Sequence, residues 1–157
     1  MIILGLDPGI ADTGYGLIEC QKNKDKMLAC GSIKTAAKQD LASRLAQIAS
    51  QLKKIIKDFK PKVVAVEEIF FAKNAKTAIA VAQARGVLLL TAYLAGCAVR
   101  EFTPLQVKLA LTGYGRAEKP QMQKMVKTIL GLSSIPQPDD AADALAVAIC
   151  CGQTHLH

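Results

Sequence analysis

The sequence predicts an α/β fold, a mixed five-stranded sheet with helices on both faces. Three observations carry that expectation. Three strand-like runs come first and in hairpin order: IILGLD, YGLIEC and MLACGSIKT. Segments with helical spacing then alternate with two further short apolar runs, the pattern that adds parallel units to an antiparallel edge. Finally, 51% of the 157 residues are hydrophobic and only 4% aromatic, with no tryptophan, so a sizeable aliphatic core is available to one domain.

The first run, Ile2, Ile3, Leu4 and Leu6, is a short apolar stretch stopped by Asp7 and a Pro8-Gly9 break, and reads as a buried strand. The turn PGIADTG leads to the second and third runs, which the polar stretch QKNKDK joins as a hairpin. DLASRLAQIASQLKKIIKDF places Leu41, Leu45, Ile48, Leu52, Ile55, Ile56 and Phe59 at three- and four-residue spacings, an amphipathic helix with Asp40 as its N-cap. PKVVAVEE is a strand that again ends in carboxylates, Glu67 and Glu68. A long alanine-rich helix follows over KNAKTAIAVAQARGVLLLTAYLAG, then the short strand CAVREF. Thr103-Pro104 caps a brief helix through Lys108. PQMQKMVKTILGL sets Met122, Met125, Val126, Ile129 and Leu130 on one helical face, and DDAADALAVAICC forms a last helix after Pro136 and Pro138. The chain reads as a single domain over 1–157, with a flexible tail over 152–157.

Charge narrows the function classes. Lys and Arg number 20 against 13 Asp and Glu, a net +7, which favours a polyanionic partner: nucleic acid first, an anionic membrane surface second. The uncharged run Gly86 to Val99 is too short to cross a bilayer and is bounded by Arg85 and Arg100, so it reads as a buried helix running into a strand, with no membrane partner. The five cysteines are odd in number and form no C-x-x-C pair, and no basic segment with a cleavage site opens the chain, so reduced thiols in the cytoplasm are expected. The two histidines, His155 and His157, sit at the end of the chain, which argues against zinc.

Within this basic chain the carboxylates gather. Ligand sites in open α/β sheets lie outside the carboxyl ends of the strands, so Asp7 and Glu67/Glu68 converge if their strands are parallel neighbours. Asp140 and Asp143 are three apart and share a helical face, while Asp139 points elsewhere and suits a helix N-terminus. Carboxylates crowded together stay ionised only around a cation. An all-oxygen set points to Mg²⁺ or Mn²⁺. Two such ions ~4 Å apart can activate a water and hold the leaving oxygen of a phosphodiester. An acidic metal pocket in a basic protein is what a nuclease requires.

Four blocks give this pattern a family. LGLDPGIADTGYG, VAVEEIFFAKNAKTAIAVAQARG, GYGRAEKPQMQKMV and PDDAADALAVAI, in order and spanning nearly the whole chain, resemble the RuvC family of crossover junction endodeoxyribonucleases. The resemblance implies an RNase H-like fold and a homodimer that cuts four-way junction DNA symmetrically, with Mg²⁺ as cofactor, two ions per site, and Mn²⁺ able to substitute. It assigns the catalytic metal ligands to Asp7, Glu67, Asp140 and Asp143. Glu67 is chosen over Glu68 by the family motif, three residues before Phe70, and at the position of Asp140 the family also accepts histidine. It places Lys119, in RAEK, and Lys108 near the scissile phosphate, where Lys119 stabilises charge on the phosphoryl oxygens. Phe70 is implied to stack on an unpaired base, with Lys73 and Asn74 beside it holding the strand. Arg116 and Lys124 are expected at backbone phosphates. The small residues Ala78, Ala82 and Gly86 are implied at the dimer interface. The branch-migration proteins RuvA and RuvB are implied partners. Other readings separate on the same residues. A YqgF-type nuclease shares the D-x-G opening but not the QARG and RAEK segments. An actin-like kinase needs two such domains. A junction-binding protein without catalysis does not need all four carboxylates.

Overall fold

The computed structural model describes residues 1–21, 24–69 and 75–155. The order of elements is β1 (Ile2–Asp7), β2 (Asp12–Glu19), β3 (Lys26–Lys34), α1 (Leu41–Phe59), β4 (Val63–Glu67), α2 (Ala75–Leu94), β5 (Ala98–Phe102), α3 (Pro104–Thr112), α4 (Lys119–Leu130) and α5 (Asp139–His155). The five strands form one sheet in the order β3-β2-β1-β4-β5. β3, β2 and β1 are antiparallel, and β4 and β5 add in parallel. This is the mixed sheet expected from the sequence, with β1 and β4 as adjacent parallel strands.

Strand alternation divides the core in two. Ile3, Val63 and Ala65 face a cluster with Val107, Val126, Leu145 and Ile149 from α3, α4 and α5. Leu4, Leu6, Val64 and Val66 face Ile48, Leu52, Ala84 and Leu88 from α1 and α2. Because successive side chains point to opposite faces, Asp7 follows Ile3 onto the α5 face, and Glu67 follows Val63 and Ala65 there. Glu68 has the other parity. At β1 and β4 both faces are covered, so these two strands are apolar up to their terminal carboxylates and give no alternating signal in sequence.

α5 lies directly on β1 and β2 because glycines remove the side chains beneath it. A Cβ at Gly5 would run into the carbonyl oxygen of Ala144, one at Gly14 into that of Asp140, and one at Gly16 would stand 2.6 Å from Leu145 Cγ. Gly14 is opposite Asp7 in the β1–β2 ladder. The same close approach therefore brings the first turn of α5 to the end of β1. Alanine at Gly14 must push α5 away, and we expect a loss of about 1–3 kcal/mol, read as a lower Tm in a thermal melt.

Local signals set the remaining ends. The side chain of Asp40 accepts from Ser43 N at 2.9 Å and caps α1 as expected. Thr103 and Gln106 form a reciprocal capping box at the start of α3. Two helix ends differ from the sequence reading. α3 runs on to Thr112 rather than stopping at Lys108, because Gly113 at φ 68° is what ends it. α5 runs through His155 with Gly152 buried, where the sequence placed the start of a tail. α2 is long and apolar enough to cross a membrane by length and composition. In the fold it buries Ala84, Leu88 and Ala92 in the second core but leaves Ile79, Leu90, Tyr93 and Leu94 exposed. The run read as a buried helix is thus covered on one side only.

Candidate active site

The carboxyl ends of β1 and β4 and the first turn of α5 meet at one place. Asp7, Asp140 and Asp143 each offer a carboxylate oxygen, and the three lie within 4.8 Å of one another. Glu67 joins them from β4, within hydrogen-bonding reach of Asp7 and close enough to Asp143 to feel its charge. All four are partly buried. Three are described by the sheet and helix geometry already given, and Glu67, outside the tight trio, completes the wall beside Asp7.

The electrostatics register the crowding. Burial, then the charges of Glu67, Asp143 and Asp140, push the Asp7 carboxyl up to about 8, against the opposing pull of Lys119. Burial and the charge of Asp143 raise Glu67 to about 7. Asp143 is also raised, by burial first, although Lys119 hydrogen-bonds to it and draws it down. Crowded acids of this kind, with donors that are all oxygen, could hold a hard cation.

These shifts carry a sign for stability. The folded state holds protons on Asp7 and Glu67 that the unfolded chain has released above its ordinary 3.8 and 4.5. Stability is therefore full below about pH 4 and falls as pH rises toward 8. We expect the metal-free protein to melt on the order of 5 °C lower at pH 8 than at pH 5. Mg²⁺ should restore Tm at pH 8 and do little at pH 5, which thermal melts with EDTA and with Mg²⁺ will read.

Basic groups surround the acids. Lys119 Nζ, at the first residue of α4, lies 3.0 Å from Asp143 Oδ2 and 3.7 Å from Asp139 Oδ2. Burial alone would lower the pKa of Lys119, but its hydrogen bond to Asp143 and the charges of Asp143, Asp139 and Asp140 raise it, so it stays protonated. Asp139, assigned by sequence to the helix terminus, also accepts from Gln123 Nε2 at 3.3 Å, so it orients α4 and Lys119. A cleft of about 400 Å³ opens here, lined by Glu67, Lys108, Arg116, Lys119 and Asp143 among others. Arg116 borders a second cleft as well, with Tyr114 and Lys124. Lys108, Arg116, Lys119 and Lys124, with Glu118 among them, thus line a mainly basic track across the two clefts.

Not every candidate falls here. Phe70, Lys73 and Asn74, with Phe71 and Ala72, lie outside the described residues. Thr13 is fully buried and donates its hydroxyl to Gly9 O at 2.6 Å, so it braces the turn after Asp7. On α2, Ala82 and Gly86 are exposed, and a Cβ at Gly86 would meet open space. Ala78 is buried within its own chain. Ile79, Leu90, Tyr93 and Leu94 extend the exposed face, at 58%, 58%, 73% and 70% exposure. Sequence reasoning passed over these four because an uncharged run does not say which of its sides is covered.

Comparison with known proteins agrees with this geometry. Residues 3–151 match the family model described as crossover junction endodeoxyribonuclease RuvC. The chain is 55% identical over 157 residues to a crossover junction endodeoxyribonuclease RuvC of Syntrophomonas wolfei, covering all of this chain and 89% of that one. Its fold matches the Thermus thermophilus RuvC structure with a TM-score of 0.90 at 36% identity, covering 99% of this chain and 96% of the other. It matches T. thermophilus RuvC in complex with a Holliday junction substrate with the same TM-score at 33% identity and the same coverage.

Proposed function

This chain belongs to the RuvC family of crossover junction endodeoxyribonucleases, and on that premise we propose how its residues divide the work. The activity is resolution of Holliday junctions, and the substrate is four-way junction DNA. The observation that carries the assignment is the meeting of Asp7, Asp140 and Asp143 within 4.8 Å, beside Glu67, at the mouth of a basic cleft.

Asp7, Glu67, Asp140 and Asp143 hold divalent metal, Mg²⁺ or Mn²⁺, as an all-oxygen set that repels itself when bare. When bound, such ions lower the pKa of a water and neutralise charge on the phosphodiester. Every other part belongs to the chain's own residues. Lys119 is held by Asp143 and Asp139 so that its ammonium faces the cleft, where it stabilises charge on the phosphoryl oxygens. Lys108 and Arg116 line the same cleft and take backbone phosphates on either side of the cut. Lys124 continues the track. Phe70, Lys73 and Asn74 hold the opened strand, as the family resemblance implies. The products are a pair of nicks in opposed strands that ligase can seal.

A twofold dimer supplies two equivalent sites for two equivalent strands. We place its interface on the exposed face of α2, where Ile79, Ala82, Gly86, Leu90 and Tyr93 recur at three- and four-residue spacing. Ala82 and Gly86 let a second helix approach closely, and the large side chains supply the buried area. The protein acts in the cytoplasm with the branch-migration proteins RuvA and RuvB. The test is cleavage of a mobile four-way junction with each strand end-labelled, against linear duplex of the same sequence. Paired nicks confined to the junction support the assignment. Equal cutting of the duplex removes the junction selectivity from it.

A further inference from the structure

Arg85 stands outside the acidic pocket, yet it holds the strand end from which Glu67 projects. It sits on α2, half-buried, and its Nε donates to the main-chain carbonyl of Glu67 at 3.2 Å. Its Nη2 donates to the carboxylate of Glu101 on β5, forming an ion pair. β1 accompanies β4 only as far as Leu6 opposite Val66, so the Glu67 carbonyl lies one residue beyond that ladder. A partly buried carbonyl wants a donor, and Arg85 provides it from across the sheet. Glu101 is opposite Val66 in the β4–β5 ladder, so one guanidinium joins the ends of both strands to α2. Its planar fork serves the two acceptors at once, which a lysine ammonium on a flexible stem does not do with the same geometry.

We propose that Arg85 is a positioning residue for cleavage: it fixes the peptide at Glu67, and hence the aim of the Glu67 carboxylate, by clamping the ends of β4 and β5 to α2. The inference rests on the reading of Glu67 as a ligand of the metal pocket. It also makes the seating of α2, whose outer face is the proposed dimer surface, a condition for a well-formed site. Ala82 and Gly86, the small residues of that outer face, lie within one helical turn of Arg85. A neighbouring cleft is lined by Glu68, Ile69, Ala78, Ala82, Arg85 and Glu101, so Arg85 and its ion-pair partner both form part of its wall.

The experiment compares full-length wild type, Arg85→Gln, Arg85→Lys, Glu101→Gln and Glu67→Gln. Junction cleavage is measured as a function of Mg²⁺ concentration. Three readouts stand beside it: Tm, dimer mass by sedimentation, and junction binding in EDTA. Arg85→Gln should keep its dimer mass and its junction affinity. Its cleavage rate at saturating junction should fall about 10- to 100-fold, with a higher Mg²⁺ concentration at half-maximal rate. Its Mg²⁺-induced gain in Tm at pH 8 should shrink as well. Arg85→Lys should recover only part of the rate, and Glu101→Gln should lose less than Arg85→Gln because the Glu67 bond survives. Wild-type rate and Mg²⁺ dependence in Arg85→Gln would overturn the inference. So would a loss of rate that tracks loss of the dimer or of junction binding, since Arg85 would then be only a prop for the fold. If Arg85→Gln does not fold, the same criteria apply to Arg85→Lys and Glu101→Gln. Retained cleavage in Glu67→Gln would instead sink the reading of the pocket itself.

Discussion

Asp7→Asn should abolish cleavage and stabilise the metal-free fold, two effects of opposite benefit from one atom change. Asparagine keeps the volume of Asp7 but carries no charge. It removes the group whose carboxyl is pushed up to about 8 by burial and by Glu67, Asp143 and Asp140. Without that repulsion the bare protein should melt about 5 °C higher at pH 8 in EDTA. At pH 4, where the wild-type acid is already protonated, the gain should vanish. Cleavage of the junction in Mg²⁺ should fall on the order of 10³-fold or more, about 4 kcal/mol of barrier. Binding of the junction should persist, because the basic track is untouched. Single-turnover cleavage, binding titrations and melts at the two pH values check all three. A variant that cuts within tenfold of wild type, or that melts lower at pH 8, contradicts the role given to Asp7.

Lys119→Ala is the second large effect, and it should fall on chemistry alone. Lys119 is about half exposed, with 48% of its side-chain surface open, so its pairs with Asp143 and Asp139 contribute about 0–1 kcal/mol to the fold. Tm should therefore change little. The ammonium lines the cleft 3.0 Å from Asp143 Oδ2, and its loss should reduce the cleavage rate about 10²- to 10³-fold. Arginine at the same position keeps the charge and should restore part of the rate. A lysine-sized loss in junction affinity with an unchanged rate at saturating substrate would show instead that Lys119 serves binding and not the reaction.

Much of the site could be read before the structure, for identifiable reasons. Asp7 stood out because an apolar strand seldom ends on a carboxylate followed by a chain break, and Asp140 and Asp143 because three residues put them on one helical face. The choice of Glu67 over Glu68 came from the family motif and not from periodicity. VVAVEE is apolar on both faces, so it carries no alternation to count. Only the β1–β4 register, with Val63 and Ala65 beneath α5, gives Glu67 the parity of Asp7. Gly14 and Gly16 of β2 and Gly5 of β1 form the bed on which α5 rests, a role set by a helix distant in sequence and so not marked by any local spacing. Lys119 and Asp139 could not be joined by sequence spacing, since they come from different helices. On α2 the small residues were visible and the exposed Leu90, Tyr93 and Leu94 were not, because hydrophobicity records what a residue prefers and not which neighbour provides it.

The central claim is that the four carboxylates hold the metal that the cut requires. The most direct measurement is anomalous diffraction at the manganese edge from crystals of the protein with a four-way junction, soaked in Mn²⁺. The account predicts anomalous peaks bound by carboxylate oxygens of Asp7, Glu67, Asp140 and Asp143, and none there in Asp7→Asn. Manganese bound elsewhere with this pocket empty, in crystals whose junction is nonetheless cut on soaking, would contradict it.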